Sequence, residues 1–347
     1  MSDPGRRVTP VVRVAPAKLN LTLAVVGRRE DGYHALHSVM APLDLADHLA
    51  LSPAFGPVDR LHVVGAGGAA APDLGPEAEN LVLRAIRAAR AAIRAAGDDR
   101  PLPALAIRLE KRIPAAAGLA GGSSDAAAAL DAALEAWGAV DVVGPEARAA
   151  VAASLGSDCP FFLAGGWALV EGRGEQVTAL PAPRGAEPGV VLVTPAVGIS
   201  TPAVFERYAA GVRPEGGAAL ASSRYLAGEL QAGLSTGRFM ERAGVLAVAN
   251  DLVPATADLL PALVQARRTL SRLLERPVGQ SGSGPTLWAL SPSEADALGD
   301  AAIVRAALAD GLLELPGDGP PFVAATALVG VPATTTSTVH PHPARST

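Results

Sequence analysis

A loop of small residues that runs directly into an alanine-rich helix is the feature that most constrains this chain of 347 residues. The loop is residues 118–125 (GLAGGSSD), and residues 125–137 (DAAAALDAALEAW) have helical spacing. Because this helix is apolar on nearly all sides, we expect it to be buried. The first turn of a helix leaves N–H groups without intrahelical partners and favours negative charge. The sequence therefore predicts a cradle for a polyphosphate at this point.

The two serines of the loop strengthen that interpretation. Ser123 and Ser124 add hydroxyl groups that can hold a phosphate oxygen or a water bound to Mg²⁺. The alternative is an Ala/Gly linker with an ordinary Ser or Asp helix cap. The loop is not a Walker A motif, since no GK[ST] follows it, and it lacks the G-x-G start of a dinucleotide fingerprint. Because alanine tolerates positive φ poorly, residues 115–117 are predicted to be right-handed or extended.

A second chemical signal is the tight turn at residues 156–160 (GSDCP), which is predicted to precede an apolar strand. Asp158 there either braces the turn or accepts a proton from a substrate hydroxyl. A base of this kind needs a nearby cation. Of the 29 basic residues only Lys18 and Lys111 are lysine, and both are candidates for a compact ammonium, although compositional bias is the alternative explanation.

Composition excludes several classes of protein. The net charge of −5 argues against a nucleic-acid-binding protein, and the single cysteine, Cys159, excludes a disulfide scaffold. The chain has no uncharged apolar run of eighteen residues. We therefore expect a cytoplasmic protein with neither a nucleic acid nor a membrane as partner.

The order of strand and helix patterns predicts an α+β fold of two domains. A Pro/Gly stretch at residues 181–189 marks the boundary, which gives an N-terminal domain over 8–181 and a C-terminal domain over 188–330. Residues 211–223 look like a Gly/Ala/Ser loop. The Thr/Pro-rich tail, 331–347, is predicted to be disordered.

Three segments in order resemble the three motifs of the GHMP kinase superfamily. They are PAKLNLTL at 16–23, PAAAGLAGGSSDAAAAL at 114–130 and SGSGPTLWAL at 281–290. Two further segments resemble sequences of one branch of this superfamily, which acts on a cytidine-diphosphate-linked methylerythritol. They are GRREDGYHALHSV at 27–39 and LGSDCPFFLAGGWALVEGRGE at 155–175. The resemblance spans residues 11–330. It departs from the family where Ala115, Ala116 and Ala117 replace glycines.

This resemblance implies a GHMP-kinase-like fold with the active site in the cleft between an N-terminal ATP-binding domain (8–181) and a C-terminal domain (188–330) that binds a small-molecule substrate. It implies transfer of phosphate from ATP, with Mg²⁺, to the 2-hydroxyl of the methylerythritol unit, with Asp158 as base and Lys18 polarising the hydroxyl. We expect a monomer or a homodimer. The residues implied to bind ATP are Pro114, Ala115, Ala116, Ala117, Gly118, Leu119, Ala120, Gly121, Gly122, Ser123, Ser124, Asn80 and Lys111. Those implied to bind the cytidyl substrate are Asn20, Tyr33, His34, Thr201 and Phe205.

Other functions remain open at this point. The chain could be another GHMP kinase, acting on a sugar, homoserine or a mevalonate-type alcohol. It could also be a member that keeps the fold but only binds, although the retention of Lys18, Asp158 and the loop argues against this. A dinucleotide-dependent oxidoreductase is the most distant alternative, because no strand leads directly into a G-x-G turn.

Overall fold

A computed structural model describes residues 8–211 and 217–330. Its larger sheet has seven strands and is formed by the first half of the chain. These strands are β1 (Val11–Asn20), β2 (Ala24–Arg28), β3 (His34–Pro53), β4 (Arg60–Gly65), β5 (Leu105–Lys111), β6 (Ala168–Gly172) and β7 (Gln176–Ala179). The long strand β3 pairs antiparallel with β1, β2, β5 and β6, whereas β4 and β5 are parallel.

The smaller sheet is antiparallel and lies in the second half of the chain, in the order β11-β8-β10-β9. Its strands are β8 (Gly189–Thr194), β9 (Val278–Gln280), β10 (Leu287–Ser291) and β11 (Phe322–Ala327). Strand β8 is buried along its whole length, because neighbours cover both of its faces. The two sheets lie on either side of residues 181–189, and we retain the division into two domains as a proposal on that basis.

Eleven helices pack on these sheets within the described ranges. They are α1 (Leu81–Ala95), α2 (Gly121–Ala136), α3 (Pro145–Leu155), α4 (Cys159–Ala164), α5 (Thr201–Ala209), α6 (Ala218–Gln231), α7 (Thr236–Glu241), α8 (Ala243–Leu246), α9 (Val253–Leu259), α10 (Ala262–Leu274) and α11 (Glu294–Ala309). None of them is long and apolar enough to cross a membrane.

Helix α2 is the central helix of the larger core, as its composition predicts. Leu130 and Ala133 on this helix are fully buried, in one core cluster with Ile86 of α1 and Leu109 of β5. A second core joins the two sheets and contains Leu19, Leu43 and Trp288. The N-terminal end of α2 is therefore fixed between the two sheets, which positions the loop that precedes it.

Three local predictions were wrong. Residues 218–223 of the expected Gly/Ala/Ser loop form the start of α6, whose buried face includes Leu226 and Leu230, because the helical spacing of these leucines outweighs the small residues before them. The segment after Asp158 is helix α4 rather than a strand, since Pro160 occupies the first turn, where proline is tolerated. Ala116 has φ +50°, so the segment 115–117 is not entirely right-handed or extended. The predicted disorder of residues 331–347 lies outside the described residues.

Candidate active site

A cavity of about 860 Å³ collects almost all of the predicted site residues. Its walls come from both halves of the chain and include Lys18, the loop before α2, Asp158, Phe205 and Gly282. Two of the predicted residues do not line it. Leu119 is fully buried in the core that joins the sheets, and Ser124 is buried with a hydroxyl group that has no hydrogen-bond partner in the described ranges.

The loop before α2 enters the helix through residues with left-handed backbone. Gly118 has φ +75° and Ala120, at the position just before the helix, has φ +55°. A Cβ atom at Gly118 would lie 2.4 Å from the carbonyl oxygen of Ser281, so only glycine fits here. Within the described part of the chain, no side chain caps α2. The alternative of an ordinary Ser or Asp cap is therefore wrong, and the first N–H groups of the helix have no capping side chain beside a cavity that Gly121, Gly122 and Ser123 line.

Lys18 lies on β1, directly after an irregularity in its pairing with β3. Its ammonium is buried and donates to Asn20 Oδ1 at 2.5 Å and to the carbonyl oxygen of Gly118 at 2.7 Å. Burial lowers the pKa of Lys18, and the negative charge of Asp158 opposes that effect. The two predicted catalytic groups, far apart in sequence, thus interact electrostatically across one cavity.

Asp158 is held at the start of α4 by tight packing of its neighbours. It is half-buried, and its side chain makes no capping hydrogen bond to α4. A Cβ atom at Gly174 would lie 2.2 Å from the carbonyl oxygen of Ser157, so the turn before Asp158 is pressed against the end of β6. The carboxylate therefore lines the cavity without serving as a helix cap.

The sequence analysis identified the third motif at residues 281–290 but gave its residues no role in the site, yet they complete the surroundings of Lys18. Ser281 Oγ donates to the same Gly118 carbonyl at 2.9 Å. A Cβ atom at Gly282, which has φ +56°, would lie 3.1 Å from Asn20 Oδ1 and 3.4 Å from Lys18 Nζ. The signal that identifies these residues is the SGSG sequence before β10.

Aromatic side chains form another part of the cavity wall. The rings of His34 and Phe205 stack with centroids 5.3 Å apart and an interplanar angle of 23°. Tyr33 is 54% exposed, and the guanidinium of Arg173 lies 5.4 Å from its ring centroid. Thr201, in the first turn of α5, shares a hydrogen bond of 3.0 Å with Ser283. Flat faces, a hydroxyl and a cation are thus available at one side of the cavity.

Lys111 is buried beneath the loop, where its ammonium is bound by two carboxylates. It donates to Asp47 and, at 2.7 Å, to Asp125 in the N-terminal half of α2. Asp47 also accepts hydrogen bonds from the backbone N–H groups of Arg112 and Ile113. We call Asp47, Lys111 and Asp125 the buried charge cluster. Sequence analysis missed both carboxylates, because nothing in the local pattern distinguishes them from surface residues.

Asn80, the other predicted nucleotide-pocket residue, has a structural contact as well. Its Oδ1 atom accepts a hydrogen bond of 2.9 Å from the N–H group of Val82 and so caps α1. Asn80 and Lys111 both line the cavity, but each has polar atoms that are already bonded within the protein. Their contribution to a ligand site is therefore limited to the remaining atoms of each side chain.

The buried charge cluster predicts a pH-dependent stability. Burial raises the pKa of Asp125 to about 7, against the opposing effect of Lys111. An unfolded Asp has a pKa of about 3.9, so the folded protein binds this proton more tightly than the unfolded chain does. The stability that proton binding by Asp125 contributes is therefore lost as pH rises through about 7. As pH rises from 5 to 8, the free energy of unfolding of wild type should fall relative to that of Asp125→Asn, and urea unfolding measures this difference. Asp99→Asn, at a carboxylate that is 93% exposed, is the control. A pH-independent difference between wild type and Asp125→Asn would contradict the prediction.

Comparisons with known proteins agree with this geometry. Residues 80–166 match the model of the GHMP kinases N-terminal domain. The 4-diphosphocytidyl-2-C-methyl-D-erythritol kinase of Pelotomaculum thermopropionicum is 38% identical over 284 residues, which cover 81% of this chain and 89% of that protein. A crystal structure of 4-(cytidine 5'-diphospho)-2C-methyl-D-erythritol kinase superposes with a TM-score of 0.60 at 33% identity, covering 91% of this chain and 99% of that one.

A homoserine kinase from Cytophaga hutchinsonii superposes with a TM-score of 0.64, over 96% of this chain and 99% of that one, at only 17% identity. It shares the fold alone, whereas the cytidyl kinases share the sequence along most of the chain. The predicted α+β fold is confirmed. The chain therefore belongs to the 4-diphosphocytidyl-2-C-methyl-D-erythritol kinase family of the GHMP kinases.

Proposed function

We propose that this chain transfers the γ-phosphoryl group of ATP to the 2-hydroxyl of 4-diphosphocytidyl-2-C-methyl-D-erythritol. The observation that carries the proposal is that one cavity is lined by Lys18, Asp158, the glycine loop and the aromatic wall. Phosphoryl transfer needs mainly positioning and charge stabilisation, and a cavity with these groups supplies both. The names of the relatives specify the substrate.

Asp158 is assigned the role of general base, which accepts the proton of the attacking hydroxyl. Its carboxylate lines the cavity and is not used to cap α4, so its oxygens remain available to a substrate. Lys18 is assigned to polarise the same hydroxyl and to stabilise charge that develops on the phosphoryl oxygens. Burial in a site of low dielectric strengthens both interactions.

The loop before α2 is assigned to the phosphates of ATP. The uncapped N-terminus of α2 and the left-handed backbone at Gly118 and Ala120 direct backbone N–H groups toward an anion. Ser123, which lines the cavity in the first turn of α2, is assigned as the protein ligand of Mg²⁺. A single protein hydroxyl suits this ion, because Mg²⁺ keeps several waters and takes its other ligands from phosphates. When bound, Mg²⁺ would neutralise charge on the phosphate oxygens.

The aromatic wall is assigned to the cytidyl end of the substrate. Tyr33 presents a largely exposed ring on which a cytosine can stack, and the paired rings of His34 and Phe205 form a rigid neighbouring surface. The guanidinium of Arg173 beside Tyr33 supplies a positive charge that suits the diphosphate. The opposite part of the cavity, at the glycine loop, is left for ATP.

A coupled ADP-release assay tests the proposed function. We expect turnover with the cytidyl substrate and much slower turnover with methylerythritol phosphate, which lacks the nucleotide. Homoserine, mevalonate and galactose serve as competing acceptors. Turnover with one of these three and none with the cytidyl compound would assign the chain to another GHMP activity, and ATP binding without turnover of any alcohol would exclude an enzyme.

Tyr33→Ala is predicted to weaken binding of the cytidyl substrate and to leave ATP binding unchanged. Base–aromatic stacking contributes about 1–3 kcal/mol, so KM for the cytidyl substrate should rise by about 5- to 100-fold. Tyr225, also exposed at 58%, lies outside the cavity, and Tyr225→Ala is the matched control. An unchanged KM for the cytidyl substrate in Tyr33→Ala would remove the stacking role.

A further inference from the structure

A chain of buried hydrogen bonds runs from the ammonium of Lys18 into the sheet. Lys18 Nζ donates to Asn20 Oδ1 at 2.5 Å, and Asn20 Nδ2 donates to Ser38 Oγ at 2.9 Å. Ser38 Oγ in turn donates to the carbonyl oxygen of Thr22 at 2.5 Å. Lys18, Asn20 and Ser38 are 3%, 3% and 0% exposed, so water does not replace these bonds. Ser38 lies on β3 and does not line the cavity.

The chemistry of the donors fixes the direction of every bond in this chain. A backbone carbonyl only accepts, so the single hydroxyl proton of Ser38 is committed to Thr22. Ser38 Oγ must then accept from Asn20, which requires the amide of Asn20 to present its nitrogen to Ser38 and its oxygen to Lys18. An ammonium only donates, so this orientation is the one that lets Asn20 bind Lys18.

We propose that Ser38 is a positioning residue that acts on Lys18 through Asn20, by holding the Asn20 amide with its oxygen toward the ammonium. The proposal rests on the proposed function, in which Lys18 polarises the attacking hydroxyl. In this arrangement, the oxygen and the nitrogen of the Asn20 side chain are both bonded within the protein. Asn20 thus acts on the reaction mainly by holding Lys18.

The rest of the network keeps Ser38 and its acceptor in place. The hydroxyl of Thr22 accepts from the N–H group of Val39 at 2.9 Å and donates to Ser223 on α6 at 2.8 Å. His37 Nδ1 lies 2.8 Å from the same Ser223 hydroxyl. The acceptor of the Ser38 proton is therefore part of a segment that strand β3 and helix α6 hold in place.

Loss of the Ser38 hydroxyl leaves the buried nitrogen of Asn20 without its acceptor. The amide is then free to turn, and the ammonium of Lys18 keeps only the Gly118 carbonyl as a fixed partner. Since the Asn20 oxygen favours the charged form of Lys18, its loss lowers the pKa of Lys18 further than burial already does. Asp158 is the charged group whose field reaches Lys18 and opposes this change.

The test is a kinetic comparison of Ser38→Ala with wild type in the ADP-release assay. We expect kcat to fall about 10- to 100-fold, as for loss of a buried hydrogen-bond partner, with an unchanged KM for ATP. We also expect the alkaline limb of the pH profile to move to lower pH, which a merely structural defect would not produce. Ser52→Ala is the control, because Ser52 is an exposed serine on the same strand.

A double-mutant cycle decides whether Ser38 acts through Asn20. In the Asn20→Ala background, Ser38→Ala should cause little further loss of kcat. A full additional loss there, an unmoved alkaline limb, or a kcat within twofold of wild type would each overturn the proposal. If Ser38→Ala does not fold, Ser38→Cys, which keeps the side-chain size with a weak donor, is expected to show the same shift of the alkaline limb in a smaller amount.

Absence of turnover in wild type would refute the proposed function itself, whereas wild-type turnover with an unaffected Ser38→Ala would refute only this inference.

Discussion

Asp158→Asn is expected to lower kcat by about 10²- to 10⁴-fold and to leave ATP binding unchanged. An amide of the same shape cannot accept the proton of the attacking hydroxyl, so transfer would depend on water. Since Asp158 makes no capping hydrogen bond to α4, the substitution should not unfold that helix. The kinetic loss should therefore appear without a change in thermal stability. ADP-release kinetics and calorimetric titration with a non-hydrolysable ATP analogue measure the two quantities.

A second consequence of Asp158→Asn concerns Lys18. The negative charge of Asp158 raises the pKa of Lys18 against the effect of burial, so its removal lowers that pKa further. The residual activity of Asp158→Asn should consequently decline at a lower pH than that of wild type. Asp141→Asn, at an exposed carboxylate outside the cavity, is the matched control and should behave like wild type. An Asp158→Asn enzyme that retains near-wild-type kcat would contradict the assignment of the base.

Lys111→Met is expected to be the most destabilising of the substitutions considered, at about 3–5 kcal/mol. It removes the cation of the buried charge cluster and leaves the carboxylates of Asp47 and Asp125 without their shared partner. Burial raises the pKa of Asp125 even when Lys111 is present, so loss of this ammonium favours uptake of a proton by the cluster. The destabilisation should therefore be smaller at pH 5 than at pH 8. Urea unfolding at both pH values measures it.

The controls for this prediction separate the buried cluster from ordinary ion pairs. Arg108 lies on the same strand, with its side chain 51% exposed and paired with Glu110. Arg108→Met should change the free energy of unfolding by less than about 1 kcal/mol, as for exposed ion pairs. Adding Asp125→Asn to Lys111→Met should recover part of the lost stability, because one of the two unpaired carboxylates is then neutral. Equal effects of Lys111→Met and Arg108→Met would show that the buried charge cluster contributes no more to stability than an exposed ion pair.

Several elements were predictable from the sequence because their signals are local. The spacing of apolar residues over 125–137 identified α2 as a buried helix. The motifs around Lys18, the glycine loop and Asp158 identified the family. Helix α4 was mispredicted as a strand, because a short apolar run does not distinguish a buried strand from one turn of buried helix.

The left-handed backbone at Ala116 and Ala120 also escaped prediction. Alanine disfavours this conformation in isolation, and it is held here because the loop packs between Ile113 below and the third motif at residues 281–284 above. Tertiary packing offsets the energetic cost of the left-handed backbone conformation at these two alanines. Local propensity alone could not have given this result.

The sequence by itself determined the family, the reaction expected of it and the residues that carry the chemical groups, because these are properties of short motifs and of residue type. Only the tertiary structure decided what surrounds those groups. Asp47 reaches Lys111 across 64 residues, and Ser38 reaches Asn20 because β1 and β2 both pair with β3. Hydrogen bonds and charge pairs act over a few ångströms, so their partners are set by the pairing of strands and the packing of helices. Separation along the chain contains no information about them.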